Sequence, residues 1–178
     1  FHTVITTSIG DVYVCGKNDF GQLGINSTEA SVKVLRKCVH LKYIKQACCG
    51  YYHTLFLTHT GVVMGCGRND YGQLGLGHVQ CRVHQVQHIE GLRNKNIQSL
   101  SGGCYHSIAV TINGMLYVFG RNNHGQLGSS DLEEKHTPYP VDDFVGRKVL
   151  SVAAGFYHTM VVTGNEEEMN TRCGGLLN

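Results

Sequence analysis

Short apolar runs rich in branched and aromatic residues recur along the chain, and polar turns containing one glycine separate them in pairs. The pairs are residues 4–6 and 12–15, 55–57 and 62–64, and 108–110 and 115–119. Runs of this length around a hairpin-sized turn predict two antiparallel strands in each pair. A further apolar segment, ending near residues 48, 100 and 153, precedes the next unit and predicts another strand. No segment has the period of an amphipathic helix.

A glycine-rich motif, Gly-x-Asn-x-x-Gly-Gln-Leu-Gly, follows each pair, and its three copies begin 51 and then 53 residues apart. Its repeated positions are Gly16, Asn18, Gly21, Gln22 and Gly24; Gly67, Asn69, Gly72, Gln73 and Gly75; and Gly120, Asn122, Gly125, Gln126 and Gly128. Glycine tolerates positive φ, and asparagine does so better than most residues, so these positions predict positive φ or tight turns. The glutamine amide can bond both a backbone donor and a backbone acceptor. We interpret these residues as structural.

A histidine followed by serine or threonine keeps the same period, at His2, His53, His106 and His158. A fixed period of this size is typical of solenoids, propellers and arrays. Three or four short strands per unit without a helix favour an all-β fold, a β-propeller whose blades are small antiparallel sheets. One histidine at the same place in each unit predicts a ring of buried imidazoles, each bonding to the neighbouring blade. No acidic residue lies beside them in sequence, so a catalytic role is not favoured.

The composition is that of a globular, turn-rich protein, with 42% hydrophobic residues, 16% charged residues and 23 glycines among 178 residues. The formal net charge of +2 is too small to indicate a nucleic-acid or membrane-surface partner. The eight cysteines are Cys15, Cys38, Cys48, Cys49, Cys66, Cys81, Cys104 and Cys173. Aromatic or small residues replace several of them in the other units, which predicts packed, reduced thiols in an intracellular protein, cytoplasmic or nuclear.

The two repeated markers together resemble the repeat of the regulator of chromosome condensation family, whose members form seven-bladed β-propellers. The likeness covers residues 1 to about 163, as units of about 1–49, 50–102 and 103–154 and the start of a fourth at 155–163. The family often has tryptophan just before the first motif glycine, whereas this chain has Cys15, Cys66 and Phe119 there. Seven such units need roughly 360 residues. We therefore expect about three and a half blades, a fragment or truncated product of a larger ring, with residues 164–178 as a divergent, disordered tail.

The resemblance implies a non-enzymatic protein-interaction scaffold, such as those in ubiquitin ligases, BTB proteins, kinases and ciliary proteins. The variable connections at residues 25–33, 76–85 and 129–140 are expected to present the recognition side chains at one rim. The alternative is guanine-nucleotide exchange on a small Ran-type GTPase, although no exchange residue can be matched here. The expected partner is thus a protein, with a small GTPase or a ubiquitin-pathway protein as the two candidates.

Two features of the sequence could indicate a chemical site: the glycine loops and one cluster of histidine and cysteine. The glycine loops have neither the Lys-Ser/Thr nor the following helix of a phosphate-binding loop, so no nucleotide cofactor is expected. His78, Cys81, His84 and His88 form one cluster that breaks the repeat, and imidazole and thiolate groups could bind zinc if the segment folded back on itself. The other units have no equivalent set, so we favour a solvated connecting loop and expect no metal site there.

Overall fold

A computed structural model describes residues 1–144 and 146–165 of the chain. These residues form thirteen β-strands and one 3-10 helix, Glu90–Leu92. The strands are β1 (His2–Thr6), β2 (Val12–Lys17), β3 (Ser31–Lys37), β4 (Ile44–Cys49), β5 (His53–Thr58), β6 (Val63–Asn69), β7 (Gln80–His88), β8 (Ile97–Gly102), β9 (His106–Thr111), β10 (Leu116–Gly120), β11 (Lys135–Val141), β12 (Lys148–Ala154) and β13 (Thr159–Gly164). Across the described ranges, no helix has both the length and the apolar character that a membrane crossing requires.

The strands form four antiparallel sheets in sequence order, as the all-β prediction requires. The sheets are β1-β2-β3, β4-β5-β6-β7, β8-β9-β10-β11 and β12-β13. Within each sheet every strand pairs with its neighbour in sequence, so the first three sheets are up-and-down meanders and β12-β13 is a hairpin. The first strand of a complete sheet comes from the segment before the repeated histidine, and the other three follow it. Each sheet is thus a propeller blade joined to the next by one connection.

Three apolar clusters fill the spaces between successive sheets, and this packing turns four meanders into one propeller segment. Val14 of β2 packs with Phe56 and Cys66 of the second sheet. Leu55 and Leu74 of the second sheet share a cluster with Phe119 of the third. Ile108 and Val118 of the third sheet lie with Val149 of the fourth. The first strands β4, β8 and β12 lie side by side, as expected for the innermost strands around an axis.

Burial differs between the interior sheets and the two outer ones. All residues of β9 and β10 are buried, because neighbouring sheets cover both of their faces. In β1 and β13 half-buried and exposed positions alternate, because only one face of each strand is covered. The same repeated sequence pattern therefore gives two burial patterns, according to the place of the sheet in the array.

Three details of the sequence analysis need correction. The variable connections are shorter than predicted, because residues 31–33, 80–85 and 135–140 belong to the outermost strands β3, β7 and β11. The nine motif glycines have positive φ, but Asn18, Asn69 and Asn122 do not. Of the expected tail, Gly164 ends β13, and residues 166–178 lie outside the described part of the chain.

Candidate interaction surface

Each repeated asparagine is a buried clamp at the corner where β2, β6 or β10 ends. Asn69 is fully buried, and its Oδ1 accepts from the backbone N–H of Leu74 at 2.9 Å. Its Nδ2 donates to the carbonyl of His78 at 2.8 Å, just before β7 begins. Asn18 and Asn122 bond equivalently to Leu23 and Leu127 and to the segments that follow. The side chain, not an unusual φ, explains why asparagine recurs here.

Each repeated glutamine supports the same corner from inside. Oε1 of Gln73 accepts from the backbone N–H of Tyr71 at 2.9 Å, and Gln22 and Gln126 accept from Phe20 and His124 in the same way. The Nε2 atoms of Gln22 and Gln126 have no partner among the described residues, so the amide bonds a backbone donor but no backbone acceptor. The corners therefore hold their backbone in place with fixed side chains.

The repeated histidines join adjacent sheets through a hydroxyl relay. Nε2 of His53 in β5 lies 2.9 Å from Oγ of Ser107 in β9, and that hydroxyl donates to the carbonyl of Gln73 at 2.7 Å. Since the hydroxyl has one proton and gives it to the carbonyl, it accepts from His53, whose proton is therefore on Nε2. Gly50 lies so close that a Cβ there would be 2.0 Å from His53 Cε1. The equivalent relays are His2, Thr54 and Gln22, and His106, Thr159 and Gln126.

Burial keeps these imidazoles neutral. It lowers the pKa of His53 to about 3, and those of His2 and His106 to about 4. Their Nδ1 atoms have no hydrogen-bond partner in the described ranges, so a proton added there would be buried without an acceptor. His158 holds the same sequence position in the last sheet and is exposed. The arrangement is one of neutral structural donors and not of general bases.

The four residues considered for zinc do not form a ligand set. Cys81, His84 and His88 lie on β7, and His78 lies in the turn before it. A strand rises about 3.3 Å per residue, so His84 and His88 are separated by roughly 13 Å. No group of three or more histidine, cysteine, aspartate or glutamate side chains able to hold a metal ion occurs within residues 1–144 and 146–165. The favoured loop interpretation was also wrong from Gln80 onward, because that segment is an edge strand.

All seven cysteines in the described ranges are free thiols. Burial raises the pKa of Cys48 to about 12 and that of Cys38 to about 11. It also raises the pKa of Cys66, which packs between the first two sheets. Thiols held in the neutral form are poor nucleophiles, so these side chains act as packing groups. Cys173 lies outside the described residues.

Nine aromatic rings form one connected network at one end of the sheets, where strands begin and end, and we call this network the aromatic surface. It consists of Phe1, Phe20, Tyr51, Tyr52, Tyr71, Tyr105, His124, Phe156 and Tyr157. Tyr51 connects the sheets, with centroid distances of 4.8 Å to Phe1, 6.1 Å to Tyr105 and 5.4 Å to Phe156. The rings come from the segment before each repeated histidine and from the glycine motif. Because neighbouring strands are antiparallel, these two connections lie at the same end of the sheet.

Basic side chains from the motif cover the aromatic surface. Lys17, Arg68 and Arg121 occupy the position after the leading motif glycine in the three units. The guanidinium carbon of Arg121 lies 4.7 Å from the Tyr71 centroid and 5.8 Å from that of Tyr105. That of Arg68 lies 5.1 Å from Phe20 and 5.3 Å from Tyr105. The ring faces attract the cations, so the two arginines are held in ordered positions on the aromatic surface.

Tyrosine and arginine are enriched at protein interfaces, because both combine large contact area with polar groups that can find partners. The aromatic surface has this composition and contains exposed members such as Phe156 and Tyr157. From the sequence alone, the residues before the histidines were interpreted only as repeat markers, so this surface was not predicted. The signal was present, since aromatic residues occupy equivalent positions at Tyr52, Tyr105 and Tyr157.

Comparison with known proteins adds family and fold. The model of the Regulator of chromosome condensation (RCC1) repeat matches residues 10–57, 60–110 and 113–162. The chain is 33% identical over 164 residues to the ultraviolet-B receptor UVR8 of Arabidopsis thaliana. It is 35% identical over 162 residues to the E3 ubiquitin-protein ligase HERC2 of Homo sapiens. These matches cover 91% and 90% of this chain but 37% and 3% of the two relatives, so the similarity lies in the repeat region.

Among solved structures, the fold is similar to that of Prp20p from Saccharomyces cerevisiae, which was studied together with its binding to Gsp1p and histones. The TM-score is 0.79 at 22% identity, and the match covers 97% of this chain and 44% of Prp20p. At this identity the likeness establishes the β-propeller fold alone.

Proposed function

Because the chain belongs to the regulator of chromosome condensation (RCC1) repeat family, we propose that it is a non-catalytic protein-interaction scaffold that binds its partner through the aromatic surface. The observation that carries the proposal is the continuity of that surface. Its rings are contributed by all four sheets and contact one another in T-shaped or tilted pairs. The buried asparagine and glutamine corners and the histidine relays hold the backbone that carries these rings in place, so the surface is pre-organised for binding.

The proposed partner is a protein with an acidic contact region. Lys17, Arg68 and Arg121 lie among tyrosine and phenylalanine rings, a composition suited to a protein surface. A net charge of +2 gives no extended field for a polyanion such as nucleic acid. The family includes a receptor and a ubiquitin ligase, so we infer that the repeats supply recognition, and that a ubiquitin-pathway protein is one candidate partner.

Affinity capture from cell extract tests the proposal with matched tyrosine substitutions. The test variant changes Tyr71→Ser and Tyr105→Ser on the aromatic surface. The control variant changes Tyr43→Ser and Tyr139→Ser, two exposed tyrosines outside that surface. We expect the test variant to lose a specific protein that the wild type and the control both retain. Equal capture by all three chains would contradict the proposal.

Guanine-nucleotide exchange remains the second candidate, supported by the fold similarity to Prp20p, a protein with binding properties toward Gsp1p. Release of a fluorescent guanine nucleotide from purified Ran-type GTPases separates the two functions. The scaffold proposal expects no acceleration by this chain. Acceleration that the Tyr71→Ser and Tyr105→Ser variant loses would instead favour exchange at the same surface.

A further inference from the structure

The three units differ in how the basic side chain of the motif is neutralised. Two residues after Lys17 and Arg68 come Asp19 and Asp70, and both pairs form salt bridges. Nε and Nη2 of Arg68 lie 2.8 and 2.5 Å from one carboxylate oxygen of Asp70, and this pair raises the pKa of Arg68. At the third equivalent position the chain has Asn123, which has no charge. Among the described residues, no carboxylate lies within salt-bridge distance of Arg121.

The guanidinium of Arg121 is nevertheless held in place. It lies over the ring of Tyr71, and Tyr71 contacts Tyr105 at a centroid distance of 5.2 Å. Its side chain is half-buried and makes no hydrogen bond to any described residue. A guanidinium has five N–H donors at its edge, and stacking on a ring uses its face. Arg121 therefore offers an ordered, unused fork of donors.

Resting on the proposed function, we propose that Arg121 is the anchor for one carboxylate side chain in an acidic segment of the partner protein. The planar fork matches a carboxylate in a bidentate pair, the strongest form of this contact. One unneutralised guanidinium beside two neutralised units fits a single carboxylate better than a run of phosphates. Tyr71 and Tyr105 beside it would contact the apolar neighbours of that carboxylate, as expected at the centre of an interface.

The repeat itself supplies the substitutions that test this assignment. Asn123→Asp installs the acid that the first two units already have, so it should pair with Arg121 and close the site. Asp70→Asn does the reverse and should release Arg68. Asn123 is exposed and Asp70 half-buried, so both variants should keep the fold, which thermal unfolding followed by circular dichroism checks. Arg121→Lys keeps the charge and removes the fork.

The probe is a synthetic array of twelve-residue peptides, each with one central glutamate among small and apolar residues, printed beside its glutamine and phosphoserine counterparts. Wild-type chain should bind a subset with a glutamate-to-glutamine preference of about tenfold or more, the ratio expected from one charge-assisted pair. Asn123→Asp and Arg121→Lys should lose that preference, and Asp70→Asn should increase the number of glutamate-dependent peptides.

Three results would overturn the inference: no glutamate preference in the wild type, an unchanged preference in Asn123→Asp, or a tenfold preference for phosphoserine over glutamate. The last would assign the site to a phosphorylated segment. Failure here is distinguishable from failure of the scaffold proposal. A captured partner that needs Tyr71 and Tyr105 but tolerates Asn123→Asp leaves the scaffold standing and removes the anchor.

Discussion

The same glycine motif has a buried side and an exposed side, and the two differ in how much they vary between units. On the buried side, asparagine and glutamine occur in all three copies and make the same bonds. On the exposed side, Phe20, Tyr71 and His124 replace one another, and so do Asp19, Asp70 and Asn123. The buried side must satisfy backbone donors that water cannot reach, so few residues fit. The exposed side has no such requirement and is free to carry recognition.

Lowering the pH should cause the largest loss of stability, because it acts on the buried histidines. His53 has its pKa lowered to about 3, and His2 and His106 to about 4, against 6.5 for an unfolded histidine. Because the unfolded chain binds protons first, stability is full above pH 6.5 and falls as the pH decreases toward 4. Between pH 7 and pH 5, each histidine should lower the free energy of unfolding by about 2 kcal/mol, and the three together should lower it by about 6 kcal/mol.

Urea titrations at pH 7 and pH 5, followed by far-ultraviolet circular dichroism, measure this loss. The His53→Gln variant is the control, because its loss between the two pH values should be smaller by about 2 kcal/mol. An identical pH dependence in the variant and the wild type would show that His53 does not carry the effect.

Disturbing the contact between two sheets should cause the next largest loss of stability. Two equivalent glycines, one at such a contact and one away from it, separate this loss from backbone strain. Gly72 and Gly125 have φ values of 75° and 72°. A Cβ on Gly72 would lie 2.6 Å from His136 Cα in the next sheet, whereas on Gly125 its nearest neighbour is Leu132 Cδ2 at 3.8 Å. Gly125→Ala should lower the free energy of unfolding by about 1 kcal/mol through backbone strain alone. Gly72→Ala should lower it by about 3 kcal/mol or more, because the clash with the next sheet is added. Equal losses in urea titrations would mean that the sheets separate easily.

A neighbouring pair of asparagines compares the two sides of one motif directly. Asn122 is fully buried and bonds to the backbone of Leu127 and Asp131, whereas Asn123 is exposed. Asn122→Ala should reduce the free energy of unfolding by about 2 kcal/mol, because buried backbone groups lose their partners. Asn123→Ala should change it by less than about 0.5 kcal/mol. Similar melting temperatures for the two variants would contradict the division into buried and exposed sides.

Removing a cation from the aromatic surface should change stability least. Arg121→Ala loses its contact with Tyr71, which we expect to be worth about 1 kcal/mol at this half-buried position. The same variant should lose the glutamate preference on the peptide array. A loss of unfolding free energy above about 2 kcal/mol would make Arg121 part of the framework instead of the recognition surface.

Periodicity in the sequence was enough to predict the inner strands of each sheet, the order of the sheets and the recurring polar corners, but it did not locate the outermost strands β3, β7 and β11. The spacing of His53 and His106 predicted bonds between blades, because a fixed period places equivalent residues at equivalent points of adjacent sheets. The role of Asn69 was misjudged, since a sequence does not distinguish a side chain needed for its φ from one needed for its bonds. The segment at His84 was taken for a loop because β7 is an edge strand with little apolar alternation.

The sequence alone determined the repeat, and with it the all-β meander and the identity of the buried clamps, because those depend on contacts within one unit or at one fixed period. Only the tertiary structure decided which side chains share a surface. Tyr51, Tyr105 and Phe156 come from three units, and they meet because successive sheets pack side by side with these strand ends on the same side. Spacing along the chain shows that Asn123 replaces the local acid of the first two units. Only distances across the sheets show that no other described carboxylate pairs with Arg121.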